Sequence, residues 1–495
     1  MSEKNYIIAL DMGTTSTKGI LYRINGDIEA IRSQDYSTYY PALSLVEQDP
    51  DDVLRAVIQV VGKLMKESAL RPQDVSALVF GGILHSMIPV DRHCTVLNRA
   101  LIWADLRATE QSGELQSRLD KEEVRERTGC SLHPMYYLPR LLWFKQQARE
   151  ILKRTYKFIS VKGYILYHLF GEFVIDRSIA SGTGVWNMHT LDWDQELLQH
   201  AGMDRCYFSR VEETTCMTLK LNKKMASRMG LLEGTPGVVG ASDGPMAHLG
   251  SVGMSRDLMS MTVATGAALR RRVPEPMVLR GREAWCYYMS EGTWLLGGVM
   301  HDAGIVMRWF ADNFIQDANK SNAGTHMFEL LNTYASQVPP GSEGLLFFPF
   351  LGGERCPHHN PEIRGEITGL SFGHNKKHLV RALMEGISYR LFSIYRMLSF
   401  DREIDPVVTG GILKSPVWLQ IICDFFGKSF WKPQVSEGSA WGEVLVALRA
   451  LGIIAKTDEI DTYVKHHGKI DPQPQVHQVY QEMFHRYNEL YRERF

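Results

Sequence analysis

The chain has 495 residues, too many for one hydrophobic core, so two or more domains are expected. Apolar residues make up 44%, charged residues 22%, and the net charge is -1; no acidic or basic block of the kind that would recruit nucleic acid or a membrane surface is present. No apolar run is long enough to span a bilayer, and the seven scattered cysteines form no CxxC pair or zinc spacing, so reduced thiols and a cytoplasmic setting are expected.

The start, Met1 to Tyr6, has no signal-peptide pattern. Tyr6 to Leu10 reads as a short buried strand that stops at the polar loop Asp11 to Lys18. A second strand runs from Gly19 to Ile24. Asn25-Gly26 is a hairpin turn, and Asp27 to Ala30 returns as a third strand. The polar loop therefore joins strand to strand, whereas a P-loop or a dinucleotide loop would lead into a helix. Asp49-Pro50 caps and opens a helix through Leu64. Val75 to Phe80 is the next strand, ending in Gly81-Gly82; Leu138 to Gln147 and Tyr164 to Phe170 are helical. Val238-Val239 ends a strand just before Gly240 to Gly244. Near mid-chain the opening pattern returns: strand Met259 to Val263, turn Ala264 to Ala267, strand Ala268 to Val273. Two strand-loop-strand units suggest two related halves meeting near Gly250 to Arg256. Later come a strand at Val407-Val408, a helix Pro416 to Phe426 capped by Ser415, a helix Trp441 to Leu451 and an amphipathic tail from His477.

Several of these places could carry chemistry. In the first loop Gly13 permits close backbone approach, successive N–H groups can form an anion nest, and Thr14, Thr15, Ser16 and Thr17 add hydroxyls. Asp11 could hold a cation through water. An ordinary polar turn has the same composition, but a second loop, Thr262 to Ala267, would let a triphosphate be gripped from both sides. Asp243 follows a strand between small residues, as a general base for a hydroxyl requires; a turn aspartate beside glycine reads the same way. His85, Trp103, Asp105 and Arg107 offer hydroxyl contacts, a ring face and a carboxylate clamp, although none is a motif by itself. Gly352 to Pro357, with Arg355, is a polar stretch able to line a cleft; a surface turn with an internal Glu–Arg pair fits equally. Cys356 within it reads as a small core residue. Gly410-Gly411 before a capped helix would let a nucleotide approach, or simply make a tight turn.

Together these pieces resemble the FGGY carbohydrate kinases over nearly the whole chain: Asp11 to Lys18, Trp103 to Asp105, Gly240 to Gly244, Thr262 to Ala267 and Gly365 to Glu385 occur in the family's order. The resemblance implies an α/β, two-domain actin-like (ribonuclease H-like) ATPase fold with a central cleft, divided here at 1–251 for the sugar and 252–495 for the nucleotide. It implies ATP and Mg2+, Asp243 as the base, Asp11, Gly13, Thr14, Thr15 and Lys18 in the first phosphate motif, and Thr265 and Gly266 in the second. Gly304, Gly410, Gly411 and Ser415 match nucleotide positions; His85, Trp103 and Asp105 match the sugar region. A small-molecule partner follows, with room for a homodimer. Within the family the chain looks most like the gluconate kinases, through Leu84-His85-Ser86, Trp103-Ala104-Asp105 and Gly353-Glu354-Arg355 among others. Ala264, Ala267, Tyr137, Arg140, Gly163, Leu84 and Met87 depart from the pattern. The expected reaction is phosphorylation of D-gluconate to 6-phosphogluconate, with Arg107 or Arg355 taking the carboxylate. A kinase for xylulose or another neutral sugar, and a non-metabolic actin-like ATPase, are the alternatives.

Overall fold

The computed structural model describes residues 5–315 and 324–495; Met1 to Lys4 lie outside the described residues. Its frame is two mixed sheets built on one plan. In the first, Tyr6–Met12 pairs antiparallel with Ser16–Arg23, which pairs antiparallel with Ile28–Asp35. On its other side Tyr6–Met12 runs parallel to Val75–Gly82, which runs parallel to Pro236–Val238. The second sheet repeats this order. Leu258–Val263 pairs antiparallel with Ala267–Val273 and parallel with Asp405–Thr409, and Thr293–Met300 takes the place of the third strand. The internal repeat read from the two loops is thus a repeat of sheet topology. Each parallel strand is reached by a crossover that carries helices onto the sheet faces.

Burial on both faces explains why the first strand is apolar throughout. Ile8, Leu10 and Met12 face the helix Pro50–Glu67, through Val53, Val57 and Leu64. Ile7 and Ala9 face the other way, toward Ala440 and Val444. Those partners lie on Gly438–Ala450, a helix from the far end of the chain, so the first sheet is completed by residues that a division of the chain in two would assign elsewhere. The same helix crosses Asp243–Val252 at very short range. A Cβ on Gly250 would lie 1.9 Å from Gly438 O, and one on Gly442 would lie 2.1 Å from Met246 O. Only glycine lets the two backbones approach so closely.

Asp49 caps Pro50–Glu67 as expected, its side chain accepting from Asp51 N. Ser415 does not cap Pro416–Phe426: its Oγ donates to Asn332 Oδ1 instead, and a short 3-10 turn, Gly411–Lys414, lies between the glycine pair and the helix. The third strand is longer than expected, Ile28–Asp35, because its hairpin partner Ser16–Arg23 continues to the end of the polar loop. Among the described residues no helix is long and apolar enough to cross a membrane.

Candidate active site

The two strand-loop-strand turns lie at corresponding ends of the two sheets. In the first, Gly13 N donates to Ser16 O at 2.9 Å. Its carbonyls are tied back from outside: Tyr36 OH donates to Gly13 O at 2.6 Å, Gln48 Nε2 donates to Thr14 O, and Tyr36 N donates to Thr15 O at 3.0 Å. With these carbonyls held, the Thr14 and Thr15 amides have no protein acceptor among the described residues, the state a phosphate nest needs. In the second turn Ala264 N donates to Gly266 O at 2.8 Å. Its carbonyls are taken by backbone: Gly304 N donates to Ala264 O at 2.9 Å and Ile305 N to Thr265 O at 3.0 Å. A Cβ on Gly304 would lie 2.4 Å from Ala264 O, so glycine is required there.

Asp11, next to last in the first strand, lies directly opposite Lys18. Burial, then the charge of Asp243, pushes the Asp11 carboxyl up to about 6, against a hydrogen bond from Ser439 and the charge of Lys18. The Lys18 ammonium pairs with Glu437, just before the helix Gly438–Ala450, at 2.7 Å, an engagement that sequence did not suggest. Asp243 is not on a turn but is the first residue of a helix, Asp243–Val252. The backbone before it is clamped. Fully buried Lys162 donates to Ala241 O at 3.1 Å and Phe80 O at 2.9 Å while pairing with Asp176 at 2.8 Å, and Ser242 Oγ meets Ser178 Oγ at 2.8 Å. Burial raises the Asp243 carboxyl above the ordinary aspartate range, against the Gly244 N–H and the charge of Arg270. Behind these acids lies fully buried Glu443, pushed well above the ordinary range first by burial and then by Asp11. Gly81 makes room for it, since a Cβ there would lie 1.7 Å from Glu443 Oε1.

Four of the expected nucleotide residues, Thr265, Gly304, Gly411 and Ser415, line one cavity of about 580 Å³, together with Trp418 and Phe328. The volume and the mixed apolar and polar wall suit an adenosine. Gly266 and Gly410 do not line it but adjoin Thr265 and Gly411 in sequence; Gly410 has φ +93°, and a Cβ there would lie 2.5 Å from Val263 O.

The sugar-side residues divide. Trp103 is 41% exposed, its Nε1 donates to Thr14 Oγ1 at 3.2 Å, and its ring stacks with His301 at 6.3 Å. His85 Nδ1 meets Gly182 O at 2.8 Å, which leaves Nε2 for a ligand. Burial first, then the charge of Arg355, lowers His85 to about 3. Asp105 and Arg107, by contrast, are committed to each other. Arg107 Nε and Nη2 donate to the two Asp105 oxygens at 2.8 Å, Nη2 donates to Glu47 at 2.7 Å, and Val46 N donates to Asp105 at 2.8 Å. Asp105 is 0% exposed. The expectation that Asp105 holds a hydroxyl and Arg107 a carboxylate is corrected: together they pin the turn that presents Trp103. Arg355 is the available cation. It is not paired with Glu354, which accepts from Tyr491 OH. Its Nη1 lies 3.3 Å from His301 Nε2, its Nη2 lies 3.6 Å from Met135 Sδ, and among the described residues no carboxylate pairs with it. His133 and His301 beside it are lowered by burial and then by its charge, to about 2 and about 4. Arg140 was read only as a departure from pattern. It is 0% exposed and donates to the backbone carbonyls of His85 and Ile102, so it joins the two loops that carry His85 and Trp103.

Residues 6–250 match the N-terminal domain, and residues 271–451 the C-terminal domain, of the FGGY family of carbohydrate kinases. The chain belongs to this family. It is 34% identical over 465 residues to a gluconokinase of Bacillus subtilis, covering 93% of this chain and 90% of the relative. It is 27% identical over 490 residues to a xylulose kinase of the same organism, covering 98% and 96%. Among solved structures, a gluconate kinase and a ligand-bound xylulose kinase, both from Lactobacillus acidophilus, each superpose with a TM-score of 0.92 at 29% identity, covering 98% of this chain and 97% of theirs.

As an FGGY kinase the protein is a carbohydrate kinase that uses ATP and has the actin-like fold with a central cleft. The family's chemistry calls for a divalent cation with the nucleotide. Among the described residues no cluster of three or more His, Cys, Asp or Glu side chains could hold a metal alone. Asp11, raised by burial and by the like charge of Asp243, sits where positive charge is short. That fits a Mg2+ ion which takes one protein carboxylate and draws its remaining ligands from phosphate and water.

Proposed function

We propose that the protein transfers the γ-phosphoryl group of ATP to the far hydroxyl of D-gluconate, giving 6-phosphogluconate. The observation that carries the substrate is Arg355, a guanidinium without a carboxylate partner among the described residues, set among imidazoles held neutral. A substrate carboxylate would complete it, and neutral His85 and His301 suit hydroxyls. Trp103 covers the carbon chain. Asp243 takes the proton of the attacking hydroxyl, and a carboxylate made more basic by burial suits a group that must gain and then lose a proton. Gly13, Thr14, Thr15 and Lys18 hold phosphate from the first half. Thr265 and Gly266 hold it from the second, and Gly304, Gly411 and Ser415, with Gly410 beside them in sequence, take the nucleoside. For Lys18 to serve, it must exchange Glu437 for phosphate. Asp11 would hold Mg2+, which when bound neutralises the β- and γ-phosphate oxygens. In this reading residues 1–251 bring the sugar groups except His301 and Arg355, and 252–495 bring these two and the nucleotide pocket.

The test is a coupled kinase assay on gluconate, xylulose and glycerol with the native protein and Arg355→Gln. Gluconate should give the highest kcat/KM, and the substitution should raise its KM by roughly 100-fold while moving a neutral substrate only a few-fold. A higher kcat/KM for xylulose would replace the substrate and leave the kinase assignment standing.

A further inference from the structure

The strand Ala267–Val273 leaves the second phosphate loop with three arginines in a row, Arg270-Arg271-Arg272. Strand alternation sends the middle one to the opposite face from its neighbours. Arg271 pairs with Asp401 and donates to Leu398 O at 2.7 Å. Arg272, on the other face, donates to Met254 O at 2.9 Å. Arg270 has no comparable partner. Among the described residues its one side-chain hydrogen bond is long, 3.4 Å from Nη1 to Thr262 Oγ1, and its Nε is buried without an acceptor. Among the described residues no carboxylate lies within ion-pair distance of it.

What Arg270 faces is the head of the helix that carries the base. A Cβ built on Gly244 would lie 3.3 Å from Arg270 Nε and 3.5 Å from Nη2, so glycine at 244 is what admits the guanidinium. Asp243, one residue earlier, is near enough for the two charges to perturb each other yet does not close an ion pair. Thr262, the other contact, ends the strand that enters the second phosphate loop, and its Oγ1 lies 3.0 Å from Thr409 Oγ1, just before Gly410. The guanidinium therefore lies between the base and the loop on the nucleotide side. Burying a guanidinium with so little compensation is costly unless an anion arrives to complete it.

We propose that Arg270 is a catalytic residue of this kinase, contacting the phosphoryl group as it passes from the nucleotide to the hydroxyl held by Asp243. In that step the substrate oxygen forms a bond to the γ-phosphorus. The bond from that phosphorus to the β–γ bridging oxygen breaks, its electron pair leaves with ADP, and the hydroxyl proton goes to Asp243. Negative charge builds on the equatorial oxygens and on the bridging oxygen, and a planar fork of N–H donors fits those oxygens in a way a lysine ammonium does not. Lys18 approaches from the first half and Arg270 from the second, so the passing group meets a cation from each side. The proposal rests on Asp243 as the base.

The experiment measures kcat, KM for both substrates, nucleotide binding by calorimetry and melting temperature for Arg270→Gln, Arg270→Lys and Asp243→Asn. Arg270→Gln should lower kcat by roughly 10³-fold or more, as loss of a charge-stabilising arginine does in phosphoryl transfer, with nucleotide affinity and both KM values within a few-fold. Arg270→Lys keeps charge and volume if the glutamine variant is unstable, and should still lose about 10²-fold because the fork is gone. Added guanidinium ion should restore part of the activity of Arg270→Gln. A kcat within tenfold of native for Arg270→Lys, or a loss that disappears at high pH because Arg270 only keeps Asp243 ionised, would overturn the proposal. Near-native activity in Asp243→Asn would instead remove the base and leave the arginine result to be read by itself.

Discussion

The two loops proposed to hold phosphate occupy equivalent places in equivalent sheets, yet they are held by different means. The first is held by side chains: Tyr36, Gln48 and Trp103 reach in from three separate segments, and Trp103 is also the ring proposed to cover the sugar. The second is held by backbone: Gly304 and Ile305, at the start of the helix Gly304–Phe314, take its carbonyls. A loop held by side chains can couple phosphate binding to the occupancy of the neighbouring subsite. One held by backbone is set by the fold and depends mainly on glycine being present. The difference suits a kinase in which the sugar must be in place before phosphate is positioned, since premature positioning would hydrolyse ATP.

The largest effect should fall on the half built from side chains. Asp243→Asn should lower kcat by roughly 10²–10⁴-fold with nucleotide affinity preserved, and retention of native turnover in a steady-state assay would count against a base in that half. Gly304→Ala attacks the second loop where only backbone holds it. Its methyl group would meet Ala264 O at 2.4 Å. Nucleotide Kd should rise by about 100-fold, while sugar binding followed by tryptophan fluorescence stays near native. Trp103→Phe keeps an aromatic face but removes the donor to Thr14 Oγ1. A loss of roughly 3–10-fold in kcat/KM for ATP as well as for sugar is expected, and confinement of the effect to the sugar would break the proposed coupling.

The smallest effect concerns stability. His85, His133 and His301 are held at about 3, about 2 and about 4, first by burial and then by Arg355. Below the ordinary histidine range the unfolded chain takes up protons that the folded chain refuses, so stability falls as pH drops below about 6.5 and is fully present above it. His133→Asn should flatten that dependence in urea titrations between pH 4 and 7. An unchanged slope would mean that this imidazole is protonated in the folded protein.

Much of this site was legible because its signals are local. Glycine and hydroxyl residues at the end of an apolar strand mark a loop whatever surrounds it, and both loops, the Asp49 cap and the strand before Asp243 lie where their residues indicate. Ser415 shows where such reading stops. A serine before Pro416 has the right chemistry for a cap, but Asn332, distant in sequence, offers its oxygen a better partner.

The roles of charged side chains were set by tertiary structure. From sequence, Arg107 and Arg355 were equal candidates for a substrate carboxylate. Glu47 and Asp105 use up the first, and no protein carboxylate among the described residues reaches the second. Lys18 finds Glu437, and Glu443 finds the space left by Gly81, only because Gly438–Ala450 returns from the end of the chain to the first sheet. Strand and turn patterns depend on interactions a few residues long, so the order of residues determined the framework and the two strand-loop-strand turns. Electrostatic roles depend on which charges meet across hundreds of residues and how much water is left between them, and those quantities exist only once the chain has folded.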